Sequence, residues 1–136
     1  MPHSLRLYKR EKLCSRTDVN NLFAVGRSAI AYPLRVVYAV KTVSEGEDTS
    51  PQFLITIPKK KIRKAVGRVL LRRRVREAYR LSRHLLPPEA TPGKRLQMAF
   101  VWLSSEKADY ALIESRMREL LVKVAIATAR EKTDAR

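Results

Sequence analysis

The chain has one cysteine, Cys14, two histidines, and thirteen carboxylate side chains against twenty-nine lysines and arginines. A lone thiol excludes an internal disulfide and any thiolate cluster for zinc. His3 lies in a loose terminus and His84 near the end of a basic segment. Neither has an evident partner, so no acid–base pair for hydrolysis presents itself. The acids Glu45, Glu47 and Asp48 gather in one turn, where they serve solubility and turn formation rather than metal binding. Gly-rich phosphate loops and nucleophile motifs are missing too, as are internal repeats and low-complexity segments. The readings for this chain itself are therefore no catalytic residue and no metal ligand. No apolar run approaches the twenty residues of a bilayer span, which excludes a membrane-spanning helix. The N-terminal "MPHSLRLYKREKLCS" is basic without an apolar stretch of signal-peptide length, and the expected location is cytoplasmic.

What remains is 136 residues, 45% apolar, enough to bury one core and too few for two ordinary domains. We read a single domain over 1–136, with an ordered core over about 6–125, loops near 44–51 and 87–94, and a frayed tail near 129–136. Net charge is +16 and pI about 10.7. Such self-repulsion suits a molecule that works beside something densely negative, above all nucleic acid.

Ser15 followed by Asp18 resembles a capping box ahead of Val19, Leu22 and Phe23, which share one face of a short helix that Gly26 ends. "YPLRVVYAV" and "QFLITIP" are β-branched and aromatic, flank the acidic turn "SEGEDTSP", and read as an antiparallel hairpin. Alternation along the first places Leu34, Val36, Tyr38 and Val40 on one face, with Arg35, Val37, Ala39 and Lys41 on the other. "RLQMAFVWLS" is apolar enough for a central strand. From about Asp109, Tyr110, Ile113, Met117, Leu120, Leu121 and Val124 recur at helical spacing as a core stripe. The order is helix, hairpin, basic helix, strand, helix: an α+β domain with helices laid on a small sheet.

The basic helix is expected over Ile62–Arg83. At 100° per residue, Gly67, Leu71, Val75 and Ala78, with Ser82 beside them, form the face for the sheet. Arg68, Arg72, Arg76 and Arg83 are expected to form a stripe on the other side, flanked by Arg73 and Arg80. Between Lys59 and Arg83 stand twelve basic residues and one acid, a net +11 of the total +16. A merely solvated helix face would mix signs for support at i,i+4, so the stripe reads as a phosphate-binding surface. Arginine predominates on it, and its planar fork suits phosphate and unpaired bases, favouring structured RNA over duplex DNA.

In these residues the chain resembles the bacterial ribonuclease P protein subunit. That family carries a helix of the form Lys-Lys, a short spacer, Ala-Val, any residue, Arg-Asn-Arg, further basic residues, then Arg-Glu or Arg-Gln. Lys60 and Lys61, Ala65 and Val66, Arg68, Arg72 and Arg73, and Arg76 with Glu77 match in register. "KREKLCSRTDVNNLFAVGRS", "YPLRVVYAV" and "KADYALIESRMRELL" are similar to the family's first helix, strand and last helix, so the likeness covers about residues 6–125. It departs at Val69 and Leu70, where the family has Asn and Arg.

The resemblance implies an α/β sandwich of three helices and a mostly four-stranded sheet in the order α-β-β-β-α-β-α, with a left-handed crossover between parallel strands against the usual rule. It implies a holoenzyme in which an RNA subunit performs magnesium-dependent hydrolysis and the protein binds that RNA and the 5′ leader of precursor tRNA. Lys60, Lys61, Lys64, Arg68, Arg72, Arg73, Arg76 and Arg80 are then the expected RNA contacts. Val19, Phe23 and Tyr38 are expected to line a leader cleft between the first helix and the sheet. The expected partners are the catalytic RNA and precursor tRNA, with neither a membrane nor a small-molecule substrate, and with Mg2+ held by the RNA. Two other readings accommodate the charge: a general structured-RNA-binding protein of ribosomal or chaperone type, and a DNA-binding regulator. The second lacks helix-turn-helix spacing and a dimerisation surface.

Overall fold

A nine-residue strand, Lys94–Trp102, carries apolar side chains on both faces and organises the rest of the chain. The computed structural model describes residues 9–44, 46–47, 49–86 and 93–134. In chain order the elements are α1 (Arg16–Val25), β1 (Arg27–Ala31), β2 (Leu34–Thr42), β3 (Gln52–Thr56), α2 (Ala65–Ser82), β4 (Lys94–Trp102) and α3 (Tyr110–Asp134). Single 3-10 turns cover Lys9–Glu11 and Arg83–Leu85. Three helices and a four-stranded mixed sheet match the α+β expectation.

The sheet order is β1-β2-β4-β3. β2 and β4 pair antiparallel along their whole length, from Leu34 opposite Trp102 to Thr42 opposite Lys94. β3 joins the far side of β4 in parallel, Gln52 opposite Gln97 and Thr56 opposite Val101. The expected hairpin of β2 with β3 is therefore not formed, because β4 lies between them. A period of two assigns each strand its faces but not its neighbours. The strand that is apolar on both sides takes the centre, and the resulting parallel pair needs the long crossover that α2 supplies. The hairpin partner of β2 is instead β1, whose small "RSAIA" the sequence pattern did not mark as a strand. Tyr32 and Pro33 form the turn between them, so β2 begins at Leu34 rather than Tyr32.

Each sheet face has its own core. Leu34, Val36, Tyr38, Phe53, Met98, Phe100 and Trp102 face α2 and α3, meeting Leu71, Val75, Ala78 and Tyr79 from one and Ile113, Met117, Leu120, Leu121 and Val124 from the other. Tyr79 stacks on Phe53 with ring centroids 4.2 Å apart. Val37, Ala39, Ala99 and Leu54 face the other way, under Val19 and Leu22 of α1 and Leu13. The expected buried faces of α2 and α3 are the observed ones, since 3.6-residue periodicity is local and survives packing. α2 is shorter than the Ile62–Arg83 span and gives way to a 3-10 turn at Arg83. α3 runs on to Asp134, through most of the expected tail. The expected 87–94 loop lies mostly outside the described residues, as do Glu45 and Asp48 of the acidic turn.

α1 begins as expected: Ser15 Oγ accepts the Asp18 N–H at 3.3 Å. The Asp18 carboxylate does not complete a capping box. It accepts from Lys41 Nζ at 3.0 Å and Gln97 Nε2 at 3.3 Å, pinning the helix to β2 and β4. At the other end Gly26 donates its N–H to Leu22 O and lies so close to β2 that an added Cβ would meet Leu22 O at 2.4 Å and Val37 Cγ1 at 2.8 Å. Neither the backbone oxygen nor the buried valine can move away cheaply. Gly26→Ala is therefore expected to cost about 1–3 kcal/mol by overpacking, read as a lower urea midpoint with an unchanged m-value.

Candidate nucleic-acid interface

The buried face of α2 fixes where its cations go. Leu71, Val75, Ala78 and Tyr79 are held by the core, which leaves Arg73 and Arg76 exposed and Arg72 half-buried beside them. None of the three has a hydrogen-bond or ion-pair partner among the described residues. Arg80 does: it forms an ion pair with Glu77 at 2.6 Å. The hydrogen bond from Arg80, aided by its charge, holds the Glu77 carboxyl below the usual carboxylate range against the opposing effect of burial. Arg83, counted in the stripe, is turned away to an ion pair with Glu11. Arg74 donates to Ala108 O at 2.6 Å and ties α2 to the segment before α3.

Arg68 is also occupied. Its Nη1 donates to the carbonyls of Ile62 at 2.9 Å and Arg63 at 2.7 Å, closing the turn that leads into the helix. That turn is built on Pro58, whose carbonyl accepts the N–H groups of Lys61 and Ile62. Ile62 is buried against the first turn of α2, where a Cβ on Gly67 would lie 2.9 Å from its Cγ2. The glycine thus allows the loop to fold down onto the helix. The side chains of Lys60, Lys61, Arg63 and Lys64 remain on the outside of the loop, exposed and without partners among the described residues. With Lys107 from the segment after β4 they line a basic depression. Lys107 is forty-three positions beyond Lys64, and only the tertiary fold brings it there.

Of the eight cations expected on RNA, six are therefore available: Lys60, Lys61, Lys64, Arg72, Arg73 and Arg76. The same surface carries Val66 and Val69, the first 81% and the second 50% exposed, with Leu70 half-buried at the edge. Nothing in the structure explains Val69 and Leu70 at these positions.

The second surface lies between α1 and the sheet. α1 is short and covers only part of that face, running from Asp18 over Lys41 and Gln97 to Gly26 over Val37. Val19 is half-buried against the sheet, and Phe23, one turn further on, is 45% exposed at the rim. Tyr38 does not join them. It sits on the opposite face, in the core beneath α2 and α3, 7% exposed. Its neighbour Val37 occupies the floor under α1 instead. The alternation that separates these two was legible in the sequence; the expectation carried over from the family resemblance went against it. Beyond the end of α1, Ile30, Arg35, Val101 and Thr56 continue the same face without cover from that helix.

Among the described residues no group of three His, Cys, Asp or Glu side chains could hold a metal ion, and no helix is long and apolar enough to cross a membrane. His84 is exposed, as is Cys14.

Comparison with known proteins bears on the family of the chain. Residues 7–125 match the family profile described as Ribonuclease P. The chain is 36% identical over 126 residues to the Ribonuclease P protein component of Porphyromonas gingivalis, covering 91% of this chain and 90% of that one. It is 30% identical to the corresponding component of Chlorobium phaeobacteroides, covering 92% of each. Its fold is similar to that of the ribonuclease P protein from Thermotoga maritima, with TM-score 0.64, 25% identity, and 84% of this chain and 97% of that chain covered. By the profile match over residues 7–125 and the identity to these relatives along nearly their whole length, the chain belongs to the Ribonuclease P protein family.

Proposed function

We propose that this protein component of ribonuclease P divides its work between the two surfaces. The loop and exposed side of α2 bind the catalytic RNA, while the α1–sheet cleft holds the single-stranded 5′ leader of precursor tRNA. Together they assist magnesium-dependent endonucleolytic removal of the leader. The observation that carries this reading is the set of seven cations between Lys60 and Arg76 whose side chains have no partner among the described residues, six of them expected RNA contacts and the seventh Arg63. Like charges so close together destabilise the free protein, and a polyphosphate relieves that repulsion as its own counterions are released. Arg72, Arg73 and Arg76 supply planar forks on a rigid helix, and the lysines supply adaptable point charges on the loop before it.

The cleft offers different chemistry. Phe23 at its rim presents an aromatic face, and the floor is apolar, with Val37 and Ala99 buried and Ala39 and Leu54 half-buried. Stacking of a base on an aromatic ring tolerates any base, as a leader of variable sequence requires. In this reading the RNA performs the hydrolysis, and the protein's share is to screen phosphate repulsion and position the leader. Magnesium belongs, in this reading, to the RNA.

Reconstitution tests the proposal. At limiting magnesium, adding the chain to its cognate ribonuclease P RNA is expected to raise cleavage of precursor tRNA substantially, and the RNA-free protein is expected to cleave nothing. Turnover without RNA would overturn the division of labour. Crosslinks from position 23 to defined leader nucleotides would distinguish it from a general RNA-binding protein, which would give none at fixed positions.

A further inference from the structure

Arg35 stands alone in the cleft. It lies on the face of β2 that α1 covers further along, between Ile30 of β1 and Val101 of β4, its direct cross-strand neighbours. Ile30 is 55% exposed, and Arg35 and Val101 are half-buried. Arg35 has no hydrogen-bond or ion-pair partner among the described residues, in contrast to Lys41 on the same strand and face, which Asp18 neutralises at 3.0 Å. The two cations thus mark the two ends of the floor: Lys41 is spent on holding α1 in place, and Arg35 is left open where α1 no longer covers the sheet. A guanidinium between two aliphatic side chains is partly desolvated along its stem, and its fork keeps its preference for an oxyanion.

We infer that Arg35 grips a backbone phosphate of the single-stranded leader at the open end of the cleft. The inference rests on the proposed leader site and adds to it an ionic contact where the rim offers only stacking. The phosphate is present whatever the base, so this contact adds affinity without demanding a leader sequence. It also gives the leader a direction, with a stacked base near Phe23 and an anchored phosphate towards β1.

The test uses holoenzyme assembled with its cognate RNA and measures equilibrium binding of precursor tRNA and of leaderless tRNA. Arg35→Ala is expected to weaken precursor binding roughly tenfold, the effect of losing one charge-assisted hydrogen-bonded contact. Leaderless tRNA should bind it as it binds the wild type. Arg35→Lys should recover only part of the loss, because charge returns without the fork. A series of leaders, each with one neutral methylphosphonate, provides the reading that a merely structural role would not move. In the wild type one leader position should lose affinity on neutralisation, and in Arg35→Ala that same position should lose none. If the methylphosphonate penalty persists in Arg35→Ala, or no position shows one although the leader still aids binding, the Arg35 contact is overturned and the leader cleft stands. If the wild type binds precursor and leaderless tRNA equally, both fall.

Discussion

Replacing Arg72 and Arg76 together with alanine should lower the affinity for the catalytic RNA by about a hundredfold at physiological ionic strength, taking each as one charge-assisted contact at the lower end of its range. Both project from α2 without a partner among the described residues, so their removal exposes no buried charge. The thermal midpoint of the free protein should stay level or rise, since two repelling cations are gone. The slope of log K against log salt should become shallower by about 1.5, two phosphate contacts at roughly 0.7–0.9 each. Arg80→Ala provides the contrast. Its charge is already balanced by Glu77, so the slope should change much less. Salt titration of binding by the wild type and both variants checks the ordering. An unchanged slope in the double variant would take the RNA off this face of α2.

Glu11→Ala should destabilise the fold by about 3 kcal/mol, the lower end of the range for removing one member of a buried ion pair. The Glu11 side chain is 9% exposed, and that of Arg83, which pairs with it, is 17% exposed. The pair joins the segment before α1 to the end of α2 across seventy-two positions of sequence. Against a total stability of roughly 5–15 kcal/mol this is a large fraction. Glu11→Leu combined with Arg83→Met should recover most of the loss, because apolar replacement leaves no orphaned charge. Denaturant melts of the single and double variants decide the matter, and a harmless single variant would show the pair to be peripheral. Tyr79 lies beside it, and burial, with a smaller contribution from the Glu11 charge, pushes its phenol above the ordinary tyrosine range. A raised pKa favours the neutral form in the folded state. Stability is therefore whole below pH 10, about the unfolded tyrosine pKa, and should fall as pH rises beyond it.

Much of the basic surface was legible in the sequence. The concentration of charge between Lys59 and Arg83, the buried arc Gly67–Leu71–Val75–Ala78 and the stripe of α3 all follow from periodicity within one helix. What was not legible was which arginines have other duties. Arg68, Arg80 and Arg83 look like Arg72 and Arg76 on a helical wheel, yet they are taken up by the carbonyls of Ile62 and Arg63, by Glu77 and by Glu11. Glu11 and Lys107 enter the neighbourhood of α2 from distant parts of the chain, and no local pattern announces them.

The cleft makes the same point in the strands. Alternation alone separated Val37 from Tyr38 and placed Arg35 on the face of Val37, a result the tertiary structure repeats. That this face lies under α1, that β4 rather than β3 adjoins β2, and that α1 stops short of Arg35 were decided by packing. The sequence by itself determined charge, helix faces and strand faces, because repeats of 3.6 and 2 residues are properties of each element alone. Neighbours, covers and charge partners were left to the tertiary structure, because these depend on which arrangement of all the elements buries the most apolar surface while leaving the fewest charges unpaired.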